Sequence, residues 1–463
     1  MTINKTSVKQ DENTVYRKEQ VTFDNIELIG EYDVVVVGGG PAGVAAAETT
    51  ARQGLKTLLV EKNGFLGGQA VGGLSGTICG LYLTNEEWTC KNGPKQIVFG
   101  FAEKLRQRLL RNGGLSEPQL YGNTYVDAHD PFVWKYSAEE LVIEAGAEIL
   151  YHTVVTDVRV EDRKIKEVVV NTADGYGLIK ADYFIDTSGD AVLVAAAGGE
   201  FRMGHNGVVQ NPSLIFMING VDDEKFWNYF GENTICNDDF SEKIREAERK
   251  FGVSLPRKKI WIFKCPNKGQ LYINATSISK NDGNCLNCIK AEERTYAEIA
   301  ARKQALAYFR LLKEYIPGCK NSYITVTGSE VGVRQTRSIV GKRTLLNTDV
   351  ENCVKFEDGI AKSSWPIELH RGERPKLFWL QNDYYEIPFG TMVPASLDNV
   401  LVAGRCIDAE HEALASSRVT AQCFSQGYAA GIAMMLSKKT RTKVYDIDGK
   451  DVRKALKEDG ARL

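Results

Sequence analysis

The chain has 463 residues, with 58 Lys and Arg against 60 Asp and Glu and a net charge of −2. This length allows two or three domains with large buried cores, and the balanced charge, without a basic block, excludes a nucleic-acid footprint or a polybasic membrane patch. No apolar run approaches the roughly 20 residues of a membrane span, and the first residues lack the apolar core of a signal peptide, so we expect a cytoplasmic protein.

The first predicted core elements follow a charged, weakly patterned stretch, residues 1–30, which we interpret as an N-terminal extension. Val34–Val37 is a continuous β-branched run, as in a central strand of a parallel sheet. Gly38, Gly40 and Gly43 then give the spacing G-x-G-x-x-G. Glycines at this spacing permit a tight turn, close approach of a pyrophosphate, and close packing of helix on strand. The stretch therefore predicts a phosphate-binding turn.

A helix and a second strand complete this unit. The helix from about Pro41 to Gln53 offers free N–H groups and the positive end of its dipole to phosphates. Strand Leu55–Val60 leads to Glu61, 21 residues after Gly40, where an acid is placed to accept hydrogen bonds from ribose hydroxyls. The order of these parts predicts a Rossmann-like, dinucleotide-binding domain with a parallel sheet.

A glycine-rich segment follows, with glycines at Gly64, Gly67, Gly68, Gly72, Gly73, Gly76 and Gly80. Such a density is costly in a helix or strand and indicates backbone that passes close to another group. We expect that neighbour to be the bound dinucleotide. A purely structural loop is the alternative.

The rest of the first domain, residues 31–199, shows helices and then strands. Residues 94–112 and about 137–145 predict helices. From about residue 149 the chain alternates as strands with polar turns, which predicts an antiparallel meander and a return strand, Tyr183–Asp186. The turn Ser188-Gly189-Asp190 then lies at the carboxyl end of that strand, where open α/β sheets bind ligands.

Residues 200–395 show a different pattern, which we interpret as an α+β substrate or cap domain. Its predicted elements are short aromatic-rich strands at Ser213–Ile218, Lys259–Phe263 and Gln270–Ile273 and a long helix at about Cys288–Tyr315. No second glycine fingerprint is present, so we predict no separate site for a nicotinamide nucleotide.

Arg334 and Arg337 lie three residues apart and share one face if their segment is helical. Two guanidinium groups together suit a substrate carboxylate or phosphate. Surface ion pairs between domains are an equal alternative.

The last part of the chain repeats the opening pattern. A buried strand in NVLVAGRC ends at Gly404, and a helix rich in small residues follows from about Ser416 to Leu436. A strand, a glycine and a helix N-terminus again form a site for negative charge, and two such sites fit one long dinucleotide. Residues 396–440 are therefore predicted to return to the first domain, and residues 441–463 to form a C-terminal tail.

The ten cysteines are scattered and predict mostly free thiols. Cys285 and Cys288 form a Cys-x-x-Cys pair, but no second such pair or nearby histidine pair completes a metal site, so we predict no metal. Two unlinked thiols are our interpretation, and a redox-exchange pair is the alternative.

Several motifs together resemble one family: GGGPAG with Glu61, GGQA at 67–70, DTSGDA at 186–191, GVRQTRSIVG at 332–341, YEIPFGTMVP at 385–394 and the segment 399–431. They resemble the FAD-dependent oxidoreductases over residues 31–437. The resemblance implies FAD in an extended pose, with its adenine beside Val155 and the positive end of the last helix facing the flavin. The cofactor-binding residues that the fingerprint and the resemblance imply are Gly38, Gly40, Pro41, Ala42, Gly43, Glu61, Lys62, Gly67, Gly68, Gln69, Val155, Ser188, Gly189, Gly404, Arg405 and Ser417.

Hydride transfer to a flavin also needs an acid or base and a dry pocket. We hypothesise that His411 is the acid/base and that Arg418 steadies charge on substrate or flavin; a histidine that caps the turn is the alternative. Cys79 is a candidate for covalent catalysis or a small packed thiol. Tyr385 either orients a substrate oxygen or packs.

These observations predict a FAD-dependent dehydrogenase or oxidase that transfers hydride between flavin N5 and a small polar or anionic organic substrate. The alternatives are a flavin monooxygenase or reductase that uses NAD(P)H, and a redox or electron-transfer subunit that depends on a partner. The expected partner is a small-molecule substrate, with no nucleic acid and no membrane. A homo-oligomer and an electron-transfer partner are left open.

Overall fold

The computed structural model describes residues 26–85, 92–370 and 372–463, so that most of the predicted N-terminal extension and Cys90 lie outside the described residues. In chain order the strands are β1 (Glu27–Val37), β2 (Thr57–Val60), β3 (Thr77–Ile78), β4 (Gln119–Tyr121), β5 (Thr124–Ala128), β6 (Glu148–Leu150), β7 (Val154–Glu161), β8 (Lys164–Thr172), β9 (Gly175–Asp186), β10 (Phe201–Met203), β11 (Phe216–Asn219), β12 (Trp261–Lys264), β13 (Leu271–Asn274), β14 (Tyr323–Thr327), β15 (Arg337–Ile339), β16 (Gly359–Ser363), β17 (Ile367–Leu369), β18 (Lys376–Phe378), β19 (Tyr385–Pro388) and β20 (Val400–Val402).

The α-helices of the described residues are α1 (Pro41–Arg52), α2 (Gly68–Val71), α3 (Phe101–Arg111), α4 (Pro131–Glu144), α5 (Val192–Ala196), α6 (Asp223–Phe230), α7 (Asp238–Phe251), α8 (Ala291–Tyr315), α9 (Asn347–Glu351), α10 (His411–Ser417), α11 (Thr420–Thr440) and α12 (Gly449–Glu458). Within these described ranges no helix combines the length and the apolar character that crossing a membrane requires.

Seven of the named strands form the central sheet. Its parallel part has the order β6-β2-β1-β9-β20, and β7 and β8 add an antiparallel part beside β9. The long strand β9 serves both parts, because Gly175–Lys180 pairs with β8 and Phe184–Asp186 pairs with β20. Val34–Val37 of β1 is buried, as a strand covered on both faces should be. The predicted Rossmann-like domain with its meander is confirmed.

A second sheet has the antiparallel order β12-β13-β11-β14. One of its faces packs on α6, α7 and α8 in a core that extends from Leu214 to Val333. The alternate side chains of its strands, among them Trp261 and Tyr272, pack instead with Tyr121 in a smaller cluster. This α+β unit faces the first domain with its aromatic side.

The chain enters and leaves the second unit through two adjacent strands. β10 and β15 pair antiparallel, from Phe201 opposite Ile339 to Met203 opposite Arg337. Within the predicted substrate domain 200–395, residues 214–333 build a core of their own, whereas residues 339–393 contribute to the core of the first domain. We refer to β10 and β15 as the neck.

Helices α1 and α11 pack closely through small residues. A Cβ atom on Gly427 would lie 2.0 Å from the carbonyl oxygen of Ala42, and one on Gly431 would lie 2.6 Å from Cβ of Thr49. This contact explains why the sequence of α11 is rich in glycine and alanine. It also sets the N-termini of the two helices at the same edge of the central sheet.

Some predicted element boundaries are wrong. The segment with Arg334 and Arg337 is not helical, because Arg337 begins strand β15. The predicted helix 416–436 is two helices, since Val419 has extended backbone, with φ −75° and ψ 164°. The predicted helix at 94–112 begins at Phe101, after a glycine with φ +70°. The predicted tail contains α12, whose residue Leu456 is buried in the main core.

Candidate active site

A deep cleft lies at the carboxyl ends of β1, β2, β9 and β20, the edge at which open α/β sheets bind ligands. The sequence-predicted residues that line it are Gly38, Gly40, Pro41, Ala42, Glu61, Lys62, Gly68, Gln69, Cys79, Ser188, Gly189, Gly404, Arg405 and Arg418. The predicted residues that the structure places outside this lining are Gly43, Gly67, Val155, Arg334, Arg337, Tyr385, His411 and Ser417.

The turn after β1 opens the N-terminus of α1 toward the cleft. Gly38 has a φ of +104°, and a Cβ atom on Gly43 would lie 1.8 Å from the carbonyl oxygen of Gly38, so both positions need glycine. Gly40 is the N-cap, and in the described chain no side chain caps the first N–H groups. These groups are therefore available to an anion.

Glu61 follows β2 and faces the cleft. Its Oε2 accepts a hydrogen bond from Gly39 N–H at 2.6 Å, and its Oε1 accepts one from Asn63 N–H at 2.8 Å. Burial raises the pKa of the Glu61 carboxyl, and the two N–H groups oppose that rise. The carboxylate thus fixes the phosphate turn and still has lone pairs for a ribose hydroxyl.

Protein neighbours explain the need for glycine at two positions of the glycine-rich segment. A Cβ atom on Gly68 would lie 2.8 Å from Cα of Gly40, and one on Gly80 would lie 2.1 Å from Oε1 of Gln422. Gly68 nevertheless lines the cleft, so the expected contact with a cofactor stays a prediction at that position. The segment packs the phosphate turn against α11.

Glu330 of the second unit contacts three side chains of the cleft. Its carboxylate contacts Lys62 Nζ at 3.3 Å, accepts a hydrogen bond from Gln69 Nε2 at 2.9 Å, and pairs with Arg294. Within the described residues the buried Oε1 of Gln69 has no hydrogen-bond partner. Glu330 and Arg294 could not be found from a local motif, because each lies far along the chain from the turn that it contacts.

Arg405 clamps the turn after β9. Its Nε donates to Gly189 O at 2.8 Å, its Nη1 donates to Val333 O at 2.9 Å, and its Nη2 contacts Asp190 Oδ1 at 2.5 Å. Burial acts to raise the pKa of Asp190, but Arg405 and the Thr336 hydroxyl bring it below the usual value. Arg405 therefore holds both domains to this edge of the cleft.

The N-terminus of α11 forms the opposite wall. Val419 and Thr420 line the cleft, and no side chain of the described chain caps this helix. The end of β20 is held to it, because Gly404 N–H donates to Oε1 of Gln426 at 2.6 Å. Ser417 lies behind this wall, fully buried.

These features fit FAD. Two uncapped helix N-termini face one cleft, and each suits a negatively charged group. Between them Gly38, Gly40 and Gly68 leave backbone without side chains, and Gln69 presents an unmatched oxygen. The donors and the glycine cradle are the groups that a dinucleotide would use.

Two of the four candidate catalytic residues line the inner end of the cleft. Cys79 Sγ lies 3.3 Å from Thr77 Oγ1, and burial raises the pKa of the thiol to about 12, so that it is neutral near pH 7. Arg418 donates through Nη2 to Gln210 Oε1 at 3.0 Å. Burial lowers the pKa of Arg418 to about 10, which leaves the guanidinium charged near pH 7.

The other two candidates lie behind the cleft wall. Tyr385 is fully buried, and its hydroxyl donates to Ser416 Oγ at 2.9 Å, as a packed tyrosine does. His411 is the first residue of α10, which packs against β17. Its acid–base role stays a sequence-based prediction.

Arg334 and Arg337 serve different regions. Arg337 donates through Nε to Asp190 O at 2.6 Å and lies over the ring of Phe201, so it ties the neck to the turn after β9. Arg334 is almost fully buried and donates through Nη1 to Asn211 O at 2.8 Å. They separate because their segment is extended, so side chains three apart do not share a face.

A Rossmann-like sheet with two helix N-termini at one cleft defines a dinucleotide-binding protein. The model of one family, FAD dependent oxidoreductase, matches residues 33–456. The chain belongs to that family, and its cofactor is FAD.

Similar proteins differ in what they do. A thiamine thiazole synthase of Methanococcus vannielii is 28% identical over 207 residues, which are 44% of this chain and 70% of that protein. A 3-oxosteroid 1-dehydrogenase of Mycolicibacterium smegmatis is 46% identical over 126 residues, 26% of this chain and 20% of that protein. A geranylgeranyl bacteriochlorophyll reductase-like structure from Thermoplasma acidophilum has a TM-score of 0.49 at 15% identity, with 94% and 84% of the two chains covered.

Proposed function

We propose that this protein is a FAD-dependent dehydrogenase or oxidase that transfers hydride between the flavin and a small organic anion. FAD, when bound, supplies the group that accepts or donates the hydride. The observation that carries the proposal is the inner end of the cleft, where the charged Arg418 adjoins a group of buried polar side chains. Such a wall suits an anionic substrate better than an apolar one.

The guanidinium of Arg418 is held in position beside the cleft. Its Nη2 bond to Gln210 fixes the guanidinium, and its position at the break between α10 and α11 brings it to the cleft. A fixed cation in a partly dry site attracts an anion more strongly than a mobile one in water. We propose that it orients the charged end of the substrate.

The other inner residues exclude water and remain uncharged. Cys79 is a neutral thiol near pH 7, since the pKa is about 12, so it does not serve as a ready nucleophile. Behind it the rings of Tyr121 and Trp365 lie 4.8 Å apart and close the pocket on the protein side. A dry pocket strengthens the attraction between Arg418 and an anion.

The test is an anaerobic titration of the purified yellow protein, with the visible flavin band as the signal. We expect a small organic anion to bleach the band and NADH and NADPH to leave it unchanged. Readmission of air then separates an oxidase, which recolours fast, from a dehydrogenase. Bleaching by NADH or NADPH alone would favour the reductase or monooxygenase alternatives, and protein that neither carries nor takes up FAD would refute the proposal.

A variant sharpens the test. Arg418→Met should raise KM for the anionic donor by about 10- to 100-fold, the usual effect of losing a charge-assisted hydrogen bond. Arg302→Met is the matched control, because Arg302 is 56% exposed on α8 and pairs with Glu298 there. Equal KM values in the two variants would contradict the role of Arg418.

A further inference from the structure

A cluster of charged side chains is buried between the cleft and the aromatic face of the second sheet. It contains Arg257, Arg334, Arg418, Glu368 and His370, which come from separate parts of the chain. Arg418 donates to Oε1 of Gln210 at 3.0 Å and Arg334 donates to the carbonyl oxygen of the next residue, Asn211, at 2.8 Å, so these two guanidinium groups lie side by side. Arg418 also lines the cleft, which connects the cluster to the cofactor site.

The carboxylate of the cluster is matched by protein donors. Glu368 Oε1 accepts a hydrogen bond from the Tyr121 hydroxyl at 2.9 Å and lies 3.1 Å from Nε2 of His370. The other ring nitrogen of His370, Nδ1, lies 2.8 Å from Nη2 of Arg257. The Tyr121 hydroxyl and the His370 ring therefore take up Oε1 of Glu368, and this carboxylate carries a single negative charge toward the three arginines.

Several donors of the cluster have no acceptor. Within the described residues, Nε and Nη1 of Arg257, Nε of Arg418 and Nε2 of Gln210 are buried and make no hydrogen bond. Arg257 has no exposed surface and Gln210 is 5% exposed, so water does not reach them from outside. Buried donors without partners are rare and point to an acceptor that the chain does not supply.

The charges do not balance either. Burial, with the nearby Arg334, lowers the pKa of His370 well below its ordinary value, so this imidazole is neutral. Burial acts to raise the pKa of Glu368, but its hydrogen bonds with His370 and Tyr121 and the charge of Arg334 bring it below the usual value, so this carboxylate is ionised. Three guanidinium groups against one carboxylate leave two positive charges. Unpaired buried charges are strongly unfavourable unless a partner neutralises them.

We infer that this cluster is the substrate site and that the substrate is a compact organic dianion with two carboxylate groups, an inference that rests on the proposed function. The unmatched donors of Arg257 and Arg418 supply its hydrogen bonds, and the two excess positive charges match its charge. Aromatic walls favour an organic skeleton over an inorganic ion, since Tyr121 lies 4.8 Å from Trp365 and the Arg257 guanidinium lies 5.5 Å from the ring of Trp261.

The first experiment measures binding to the FAD-loaded protein. Succinate, butyrate and inorganic phosphate are compared at equal ionic strength, by the melting temperature and by tryptophan fluorescence, because Trp261 and Trp365 lie in the aromatic cluster beside the site. We expect succinate to bind at least about tenfold more tightly than butyrate, as the second charge-assisted contact requires. At 100-fold excess over its Kd it should raise the melting temperature by about 2 °C or more.

The second experiment separates binding from structure. Arg257→Met should weaken succinate binding by about 10- to 100-fold. The same variant should melt no lower than the parent without ligand, since it removes an unpaired buried charge. Arg334→Met should weaken succinate binding in the same way. Arg302→Met, on the exposed face of α8, should change neither quantity.

Four outcomes overturn the inference. If succinate binds no better than butyrate, the site does not prefer a dianion. If phosphate binds more tightly than succinate, the ligand is not a carboxylate. If the Arg257→Met variant melts much lower but binds succinate normally, the cluster contributes to stability alone. Flavin that is bleached by another donor, in protein that binds no dianion, refutes this inference and leaves the proposed function intact. Tight succinate binding to protein that takes up no FAD would support this inference and refute the proposed function.

Discussion

Arg405, which is partly buried, and Arg257, which is fully buried, have opposite surroundings. Arg405 meets three protein acceptors, which are two carbonyl groups and the carboxylate of Asp190. Arg257 has a single neighbour of this kind, the ring of His370, within the described residues, and two of its nitrogens are unmatched. A guanidinium whose donors are all matched by the chain holds the structure, whereas one with unmatched buried donors is prepared for a ligand.

The largest expected effect is the loss of stability when Arg405, the arginine whose donors are matched by the chain, is replaced. Arg405→Met leaves the partly buried carboxylate of Asp190 without its cation and two carbonyl groups without their donor, so we expect the free energy of unfolding to fall by about 3 kcal/mol. Chemical denaturation followed by circular dichroism measures it. Arg257→Met is the paired control and should lose less than about 1 kcal/mol. Equal losses in the two variants would break the distinction between the two arginines.

A smaller effect, on the affinity for FAD, is expected on the cofactor side of the cleft. Gly68→Ala adds a Cβ atom that would lie 2.8 Å from Cα of Gly40, at a backbone φ of +45°. We expect FAD affinity to fall by about 30-fold, which corresponds to about 2 kcal/mol of overpacking and strain. Equilibrium dialysis with FAD measures it. Gly198→Ala is the control, because Gly198 has a φ of +74° with open space around it, so its variant should bind FAD normally.

The thiol at the inner end of the cleft should behave as a neutral group. Its pKa is raised to about 12, so the thiolate fraction at pH 8 is very small and grows only as the pH approaches that value. We expect Cys79 to resist iodoacetamide at pH 8, measured by mass spectrometry of the FAD-loaded protein. Cys79→Ser should keep substrate-dependent flavin reduction within about threefold. Rapid alkylation at pH 8 would restore covalent catalysis as the better explanation.

The smallest effect is expected at the Cys-x-x-Cys pair. Both thiols are free, and burial raises the pKa of Cys288 to about 11. The double variant Cys285→Ser with Cys288→Ser should therefore reduce flavin at nearly the parent rate in stopped-flow measurements. Loss of activity in this variant would favour the partner-dependent redox subunit over the dehydrogenase or oxidase.

The cofactor half of the cleft could be predicted because its signals are local. Gly38 to Glu61 is one continuous stretch in which strand, turn, helix and acid follow each other, and the structure keeps that order. The break before α11 could not be predicted, since neither Val419 nor Thr420 is a residue that usually ends a helix.

The substrate half could not be predicted for a different reason. Arg257, Glu368 and His370 lie in separate parts of the chain and share no motif, so they meet only through the tertiary fold. Arg334 was predicted as a substrate residue together with Arg337. The two side chains point to different regions because the segment is extended, and side chains three residues apart share a face only in a helix.

The neck makes the second unit one continuous insertion between two adjacent strands. Because β10 and β15 lie side by side, a segment that begins after Met203 and ends before Arg337 can be exchanged without moving either flanking strand. That segment carries Arg257 and Arg334, whereas Arg418 and both anion-facing helix N-termini belong to the remaining chain. Replacement of this one continuous segment would therefore change two of the three clustered arginines, and it would leave the flavin cradle intact where the new segment keeps Arg294, Glu330 and Val333.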